Sequence, residues 1–313
     1  MAAKSHIVFL RAVGDAGLTA LFQMSRCRSR VDDPKFDLDA YLERIGLGKR
    51  PDPTFETLRA VVGAHSATIP YENIDVLLGR PPKLDLVSLE AKIVRGRRGG
   101  YCFEQNALLR AALHALGFDA MGLLARVVRG ASADAPAGAC HMVVRVDFEE
   151  GPFLVDVGFG NLTPTSPLAL QPLIEQPTPH EPMRFMPVGP ELVLQAKLGE
   201  TWENLWRLCS QTVVDVDYDV ATWFCATHPA SLFVSNMIAA RPGPAGTRRT
   251  FFNGRLNVRL RDGSVERTDL ASEDVAAALE NSFGLELSAE DLRSALDVIE
   301  RLGRRGEAHP IFS

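Results

Sequence analysis

The run Arg97-Arg98-Gly99-Gly100-Tyr101-Cys102-Phe103-Glu104 puts a cysteine at the end of a cationic, glycine-flexed loop, where a helix is predicted to begin. His141 follows 39 positions on, and Asp156 another 15. A thiol at a helix start, a histidine and a carboxylate are the parts of an activated-thiol acyl-transfer site. Only the thiolate attacks well, and a free thiol titrates near pH 8.5 (about that value in an ordinary cysteine). A helix N-terminus offers partial positive charge and unpaired N–H groups, which favour the anion. Gly99 and Gly100 allow tight backbone turns just before it. Arg97 and Arg98 either add positive potential or serve as solvated or structural ion-pair residues. The bland alternative for Cys102 is an inert buried cysteine.

Valine-rich runs over 141–148 and 153–157 predict two strands, and Glu149-Glu150-Gly151-Pro152 between them is a turn signal. A hairpin there brings Asp156 back alongside His141. The carboxylate can then accept from one ring nitrogen and leave the other facing the thiol. Asp156 lies between Val155 and Val157 on a strand that reads as buried, where an unpaired charge is costly. A histidine meets that need; so would a backbone or arginine contact. Cys140 is next to His141, but strand neighbours point to opposite faces and should not pair. His114 reads as a helix surface or packing residue, His65 and His180 as loop residues, and Asp147 as solvated near the turn. His228, in Thr227-His228-Pro229, is the other histidine of interest, as one that spatial convergence could bring to line the site. No histidine pair has H-E-x-x-H spacing and no cysteine pair has C-x-x-C spacing, so no metal site is expected. There is no phosphate loop and no strand-linked G-x-G-x-x-G.

The elements that must position these residues change character along the chain. Helical spacing over 36–45 stops at Gly46. A second helix opens at Pro53-Thr54-Phe55, with Thr54 as cap and Thr57 as a poorer one, and 69–73 breaks it. Residues 88–95 suggest a third. After Cys102, Leu109, Leu113 and Leu116 recur at spacings of four and three, and Gly117 closes the helix. The first third therefore reads as a helical bundle. The period then shifts to strands over 121–129, 141–148 and 153–157, with later ones over 192–198, 204–208 and 212–216. Residues 164–190 are proline-rich and read as a long connection. From about Trp223 the pattern mixes: a strand over 265–268, then helices over 272–281 and 288–302, each with a serine cap candidate.

The 313 residues suffice for two or three domains. A formal charge of −5 argues against a nucleic-acid partner, which needs a basic face. No apolar run approaches the roughly 18–20 residues of a membrane span. The five cysteines are an odd number without a framework spacing, which points to a reducing, cytoplasmic setting. Residues 1–30 carry Lys4, Arg11, Arg26, Arg28 and Arg30 against the single acid Asp15. They read as a flexible extra tail or an over-early start, less readily as a targeting segment.

Taken together, Arg98-Gly99-Gly100-Tyr101-Cys102-Phe103-Glu104, His141 and Val155-Asp156-Val157-Gly158-Phe159-Gly160 resemble arylamine N-acetyltransferases. Ile69-Pro70-Tyr71-Glu72-Asn73, Phe36-Leu38-Tyr41-Ile45 and Thr227-His228-Pro229 with Ser231, Phe233 and Asn236 extend the resemblance. It runs from about Phe36 toward the C-terminus and leaves out residues 1–30. It implies an α+β chain of three domains: a helical bundle over 31–118 with the nucleophile, a β-barrel-like domain over 119–222 with the histidine and aspartate, and an α/β lid over 223–313. It implies a cysteine-protease-like triad, with Cys102 as nucleophile, His141 as base and Asp156 as orienting acid. The pocket aromatics fall on Tyr71, Phe159 and Phe233, with Tyr71 in place of the more usual phenylalanine. Gly158 and Cys140 fall where coenzyme A would approach. The implied partners are an acetyl-CoA co-substrate and a small arylamine or hydrazine, with no metal. Neither the preferred amine nor the oligomeric state is legible in the residues.

Rival readings keep the same triad for another acyl chemistry, an amide synthase or a cysteine hydrolase. A further rival is a non-catalytic small-molecule binding protein on the same fold.

Overall fold

The computed structural model describes residues 36–302. The basic run over 1–30, with Cys27, lies outside the described residues.

Helix α1 (Leu38–Arg44) begins where the Asp37 carboxylate accepts from the Ala40 N–H at 3.0 Å, pairing one of the donors a helix start leaves open. Helix α2 (Phe55–Thr68) starts the same way, its Thr54 hydroxyl accepting from the Thr57 N–H at 3.2 Å. His65 sits inside α2 and is fully buried, rather than in a loop, because the helix runs on until Pro70 forces the chain extended. A two-residue strand, β1 (Tyr71–Glu72), and one helical turn, α3 (Ile74–Leu77), follow. Helix α4 (Leu86–Leu89) passes directly into a π-turn over Glu90–Arg95.

Helix α5 (Cys102–Ala115) is buried on nearly every side over its first two turns, polar residues Glu104, Gln105 and Asn106 included. A helix wet on no face belongs at the centre of a domain. Its Phe103, Leu108, Leu109 and Leu113 are fully buried, each side chain contributing about 1.5–3 kcal/mol.

The middle of the chain forms a seven-stranded antiparallel sheet ordered β5-β4-β3-β2-β8-β7-β6. Its strands are β2 (Asp119–Val127), β3 (His141–Phe148), β4 (Gly151–Val155), β5 (Leu168–Ala169), β6 (Met183–Val188), β7 (Glu191–Leu198) and β8 (Thr201–Leu208). The β3–β4 hairpin pairs Phe148 with Gly151 across the expected turn. Strand β4 ends at Val155, one residue before Asp156 rather than beyond it. The sheet nearly closes on itself: the segment after β5 meets β6 through reciprocal backbone bonds between Gln176 and Met183, at 2.8 and 2.9 Å. The Gln176 side chain carries the ladder back to Ala169 on β5, accepting from its N–H and donating to its carbonyl.

The stretch 164–190 is therefore not one long connection. Pro187 hides β6 in the sequence, but β6 is the last strand in the sheet order, where a residue without an N–H is tolerated. The strand expected over 212–216 is instead the entry to helix α6 (Asp215–Thr227). Its valines suggested a strand, yet the Asp217 carboxylate accepts from the Val214 N–H at 2.9 Å, a capping bond. Helix α6 also runs across the boundary expected at 222–223.

A second antiparallel sheet is ordered β1-β9-β10-β11-β12, from β9 (Ile238–Pro242), β10 (Arg248–Phe252), β11 (Arg255–Arg259) and β12 (Val265–Asp269). Tyr71 pairs with Ala240, so the N-terminal helical part supplies an edge of this C-terminal sheet. Asn73 reinforces the seam, donating to the Phe233 and Asn236 carbonyls and accepting from the Ile238 N–H. Helices α7 (Val275–Phe283) and α8 (Ala289–Leu302) cover the sheet, burying Phe251, Leu279 and Phe283 in one cluster. The Ser288 hydroxyl caps α8 as expected, whereas Ser272 lies in a 3₁₀ turn before α7 and caps nothing. Among the described residues no helix is long and apolar enough to cross a membrane.

Candidate active site

Cys102 is the first residue of α5, with Tyr101 as the N-cap. The Glu104 carboxylate reaches back and accepts from the Tyr101 N–H at 3.1 Å. Lys92, on the π-turn, donates to Glu104 at 2.8 Å and also pairs with Asp75 at 2.7 Å. The loop before the cysteine is pressed against residues 70–72: Gly100 N–H donates to the Pro70 carbonyl and Glu72 N–H to the Gly100 carbonyl. Side-chain atoms are barred at Gly99, where a Cβ would lie 2.1 Å from the Pro70 oxygen.

Arg98 does not lend free charge to the sulfur. Its guanidinium is committed to Glu72 at 2.8 Å and faces Asp75 at 3.5 Å, in a largely buried ionic cluster behind the loop. What remains on the sulfur's side is the helix start and the imidazole.

The structure brings Cys102, His141 and Asp156 together. His141 Nε2 lies 2.7 Å from Asp156 Oδ2, and the imidazole is hydrogen-bonded to the Cys102 side chain. Since Nε2 is taken by the carboxylate, Nδ1 is the nitrogen left for the thiol. Burial works against the imidazolium, but the Asp156 charge and hydrogen bond, with Cys102 adding to them, outweigh it and lift His141 to about 10. The three side chains are 4, 2 and 0 % exposed, so little water screens them.

Asp156 has more partners than the sequence suggested. Asn106 donates to its Oδ1 at 2.9 Å, the Gly158 N–H to the same oxygen at 2.9 Å, and Trp206 Nε1 to Oδ2 at 3.2 Å. Asn106 also donates to the Met142 carbonyl and accepts from the Val157 N–H, which ties α5 to both β3 and the loop after β4. A carboxylate so surrounded keeps its orientation. Asn106 stands four residues after Cys102, on the same face of α5, a spacing that could have found it. Trp206, on β8, carries no local signal.

Tyr71 is buried on β1, close enough to Cys102 for the two charges to interact; burial, then Cys102, pushes its hydroxyl upward. The Phe159 ring stands edge-on to His141 at 5.2 Å between centroids. Phe233, on a 3₁₀ turn over Leu232–Val234, meets Tyr101 edge-on at 5.7 Å. The three sequence-predicted aromatics thus stand about the helix start and the imidazole, joined by Tyr101. Gly158 has its bare face against α5: a Cβ there would lie 2.7 Å from Cys102 Cα. The need for glycine at 158 is met by the protein's own backbone. Cys140 is half-buried, and its carbonyl oxygen lies 3.8 Å from Cys102 Sγ.

The other histidines among the described residues fall elsewhere. His228 ends α6 and stacks on the exposed Phe224 at 4.6 Å. His114 bonds the Ala120 carbonyl, and His180 ties Thr165 to the Gly243 and Thr247 carbonyls. His65 bridges the Tyr41 hydroxyl and Gln105. Asp147 accepts from Arg145 at 2.8 Å rather than standing free in solvent.

A family model described as N-acetyltransferase matches residues 54–292. The chain is 41% identical to the arylamine N-acetyltransferase of Mycobacterium tuberculosis (strain ATCC 25618 / H37Rv) over 266 residues, covering 83% of this chain and 93% of that protein. It is 35% identical to the arylamine N-acetyltransferase / N-hydroxyarylamine O-acetyltransferase of Salmonella typhimurium, covering 79% of this chain and 88% of the relative. Among solved structures, Mycobacterium marinum arylamine N-acetyltransferase in complex with CoA aligns with a TM-score of 0.80 at 38% identity, covering 85% of this chain and 99% of that one. The chain belongs to the arylamine N-acetyltransferase family.

Proposed function

We propose that this chain transfers an acetyl group from acetyl-CoA to the nitrogen of an arylamine, arylhydrazine or related nucleophile, through an acetyl-Cys102 intermediate. The observation that carries the reading is the hydrogen-bonded series Cys102–His141–Asp156 at the start of a buried helix. Nucleophile, proton carrier and orienting acid are in mutual reach, which is the geometric requirement for covalent catalysis.

The Cys102 sulfur attacks the thioester carbonyl carbon of acetyl-CoA. The carbon–sulfur bond to coenzyme A breaks, and the proton on His141 Nδ1 goes to the departing sulfur. An acetyl-cysteine and a neutral imidazole remain. The amine nitrogen then attacks the same carbonyl carbon and yields its proton to His141 as the Cys102 thiolate leaves. The imidazolium–thiolate pair is restored. Asp156 holds the ring by Nε2 throughout and favours its charged form. Exchange of one thioester for another is nearly balanced, so positioning and proton relay do most of the catalytic work.

Tyr71, Phe159 and Phe233 form the walls for a flat amine, since ring contacts supply area and geometry together. The Tyr71 hydroxyl adds a polar point to that wall. Cys140, beside the Cys102 sulfur, is the better candidate of the two for contact with the coenzyme A arm; Gly158 acts by letting the helix approach. Three parts divide the labour: the helical part supplies the sulfur, the β-rich part the imidazole and carboxylate, and the part after α6 the Phe233 wall.

Initial rates measured against acetyl-CoA at several fixed concentrations of 4-aminobenzoate or a hydrazine test the scheme. Parallel double-reciprocal lines are expected. Release of coenzyme A at the same rate without any amine would mark a hydrolase instead. Indifference to acetyl-CoA would favour an amide synthase, and no acylation at all a binding protein.

A further inference from the structure

Two more thiols stand beside Cys102, and neither takes the acyl group. Cys225, on the inner face of α6, has its Sγ 4.0 Å from the Cys140 carbonyl oxygen. Cys102 Sγ approaches the same oxygen at 3.8 Å. The Cys140 and Cys225 side chains are hydrogen-bonded to each other. Cys140 is therefore flanked by two sulfurs, and it immediately precedes His141.

We propose that Cys140 and Cys225 form an oxidisable dithiol, a modification site that closes to a disulfide under hydroperoxide and suspends the neighbouring nucleophile. The disulfide stands apart from acyl transfer, and its effect on activity rests on the role proposed for Cys102.

The two sulfurs are unequal. Cys140 is half-buried, whereas Cys225 is 3% exposed, so an oxidant from solvent meets Cys140 first. The hydrogen bond from Cys225, with help from Arg126 against the cost of burial, pulls the Cys140 thiol down to about 7. The same bond, and burial after it, push Cys225 up. Cys140 is thus the attacking thiolate and Cys225 the resolving thiol.

The chemistry balances with a hydroperoxide as the named oxidant. The Cys140 thiolate attacks one peroxide oxygen, the O–O bond breaks, and hydroxide leaves with a proton from solvent as water. Cys140 is now a sulfenic acid. The Cys225 sulfur attacks the sulfenyl sulfur, its proton goes to the departing hydroxyl, and a second water leaves. Two thiols are oxidised to a disulfide, and hydrogen peroxide is reduced to two waters.

Closing from hydrogen-bond to bonding distance requires one side to move. Cys225 is fixed in a helix, its carbonyl held by the Ser231 hydroxyl at 2.6 Å. Cys140 ends the irregular stretch between β2 and β3 and is the freer partner. Its displacement carries His141 along, away from the position that serves Cys102. Transient, regulatory disulfides of this kind are the form compatible with a reducing compartment.

The test uses the full chain. In a Cys102→Ser background, which removes the reactive nucleophile, hydrogen peroxide followed by intact-mass and peptide mapping should show loss of two hydrogens and a Cys140–Cys225 linked peptide, both reversed by dithiothreitol. With Cys102 present, peroxide should remove most acetyl transfer and dithiothreitol should restore it. Cys225→Ser keeps the volume and a hydrogen-bond donor; it should retain basal activity and lose the dithiothreitol-reversible disulfide. A chain that gains oxygen at Cys140 without losing two hydrogens, or a linked peptide that contains Cys102 instead of Cys225, would overturn the proposal. So would a disulfide that leaves acetyl transfer unchanged.

Discussion

Asn106 donates to Asp156 Oδ1 at 2.9 Å, from a position one helical turn beyond Cys102 on α5. The helix that presents the sulfur therefore also fixes the carboxylate that orients the imidazole, and sulfur and ring share one frame. Asn106→Leu leaves the Val157 N–H and the Met142 carbonyl without their Asn106 bonds, and takes one donor from Asp156. Each buried polar group left unsatisfied costs about 1–3 kcal/mol. The expected outcome is a lower urea midpoint and a fall in kcat larger than the rise in KM, measured by denaturation and steady-state kinetics.

The pH dependence of stability follows from His141. Its folded value of about 10 lies above the ordinary 6.5. Between those values the folded state holds a proton that the unfolded state has lost. The stabilisation is full below the unfolded value and disappears as the pH rises through the folded one. Stability to urea should fall from pH 6.5 toward 10, and NMR titration should find the ring still protonated at neutral pH. Asp156→Asn removes the main source of the upward shift; its His141 should titrate lower and its stability should vary less over the same window.

A glycine that the sequence offered as a coenzyme A contact makes a different prediction. Gly158→Ala places a methyl 2.7 Å from Cys102 Cα and 2.9 Å from Asn106 Nδ2. Backbone cannot yield as a flexible side chain does, so α5 or the 156–158 loop must shift. Overpacking of this kind costs about 1–3 kcal/mol. Acylation of Cys102 by acetyl-CoA, followed in a single turnover, should slow by more than the loss of stability explains.

Behind the loop, Lys92 holds Glu104 and Asp75 and faces Glu72 at 4.0 Å. Lys92→Met leaves these acids short of a counter-charge in a largely buried place. Removing one partner of such a cluster costs about 3–5 kcal/mol. A marked drop in thermal midpoint is expected, larger than for the exposed pair variant Arg50→Met, whose partner Asp39 is in solvent.

The meeting of Cys102, His141 and Asp156 was legible because each had a local signal. Glycines and a helix start surround Cys102, and a tight turn at Glu149-Glu150 joins the strand that opens on His141 to the one that ends just before Asp156. Trp206 was not, since only the sheet topology brings β8 to Asp156 from 50 residues away. Arg98 stayed open between free charge and an ion pair for a similar reason: its partner Glu72 is 26 residues off. Valines over 212–216 outweighed the capping role of Asp217, and Pro187 concealed an edge strand. Strands β9 to β11 went unread although Asn253-Gly254, left-handed at φ 48° and 92°, was a hairpin signal in plain view.

The most direct test is the mass of the chain after mixing with acetyl-CoA in the absence of amine. One acetyl group, mapped to Cys102 and discharged on adding 4-aminobenzoate or a hydrazine, is the predicted result. A chain that turns over both substrates while Cys102 stays unmodified, or that keeps its activity as Cys102→Ser, would contradict it.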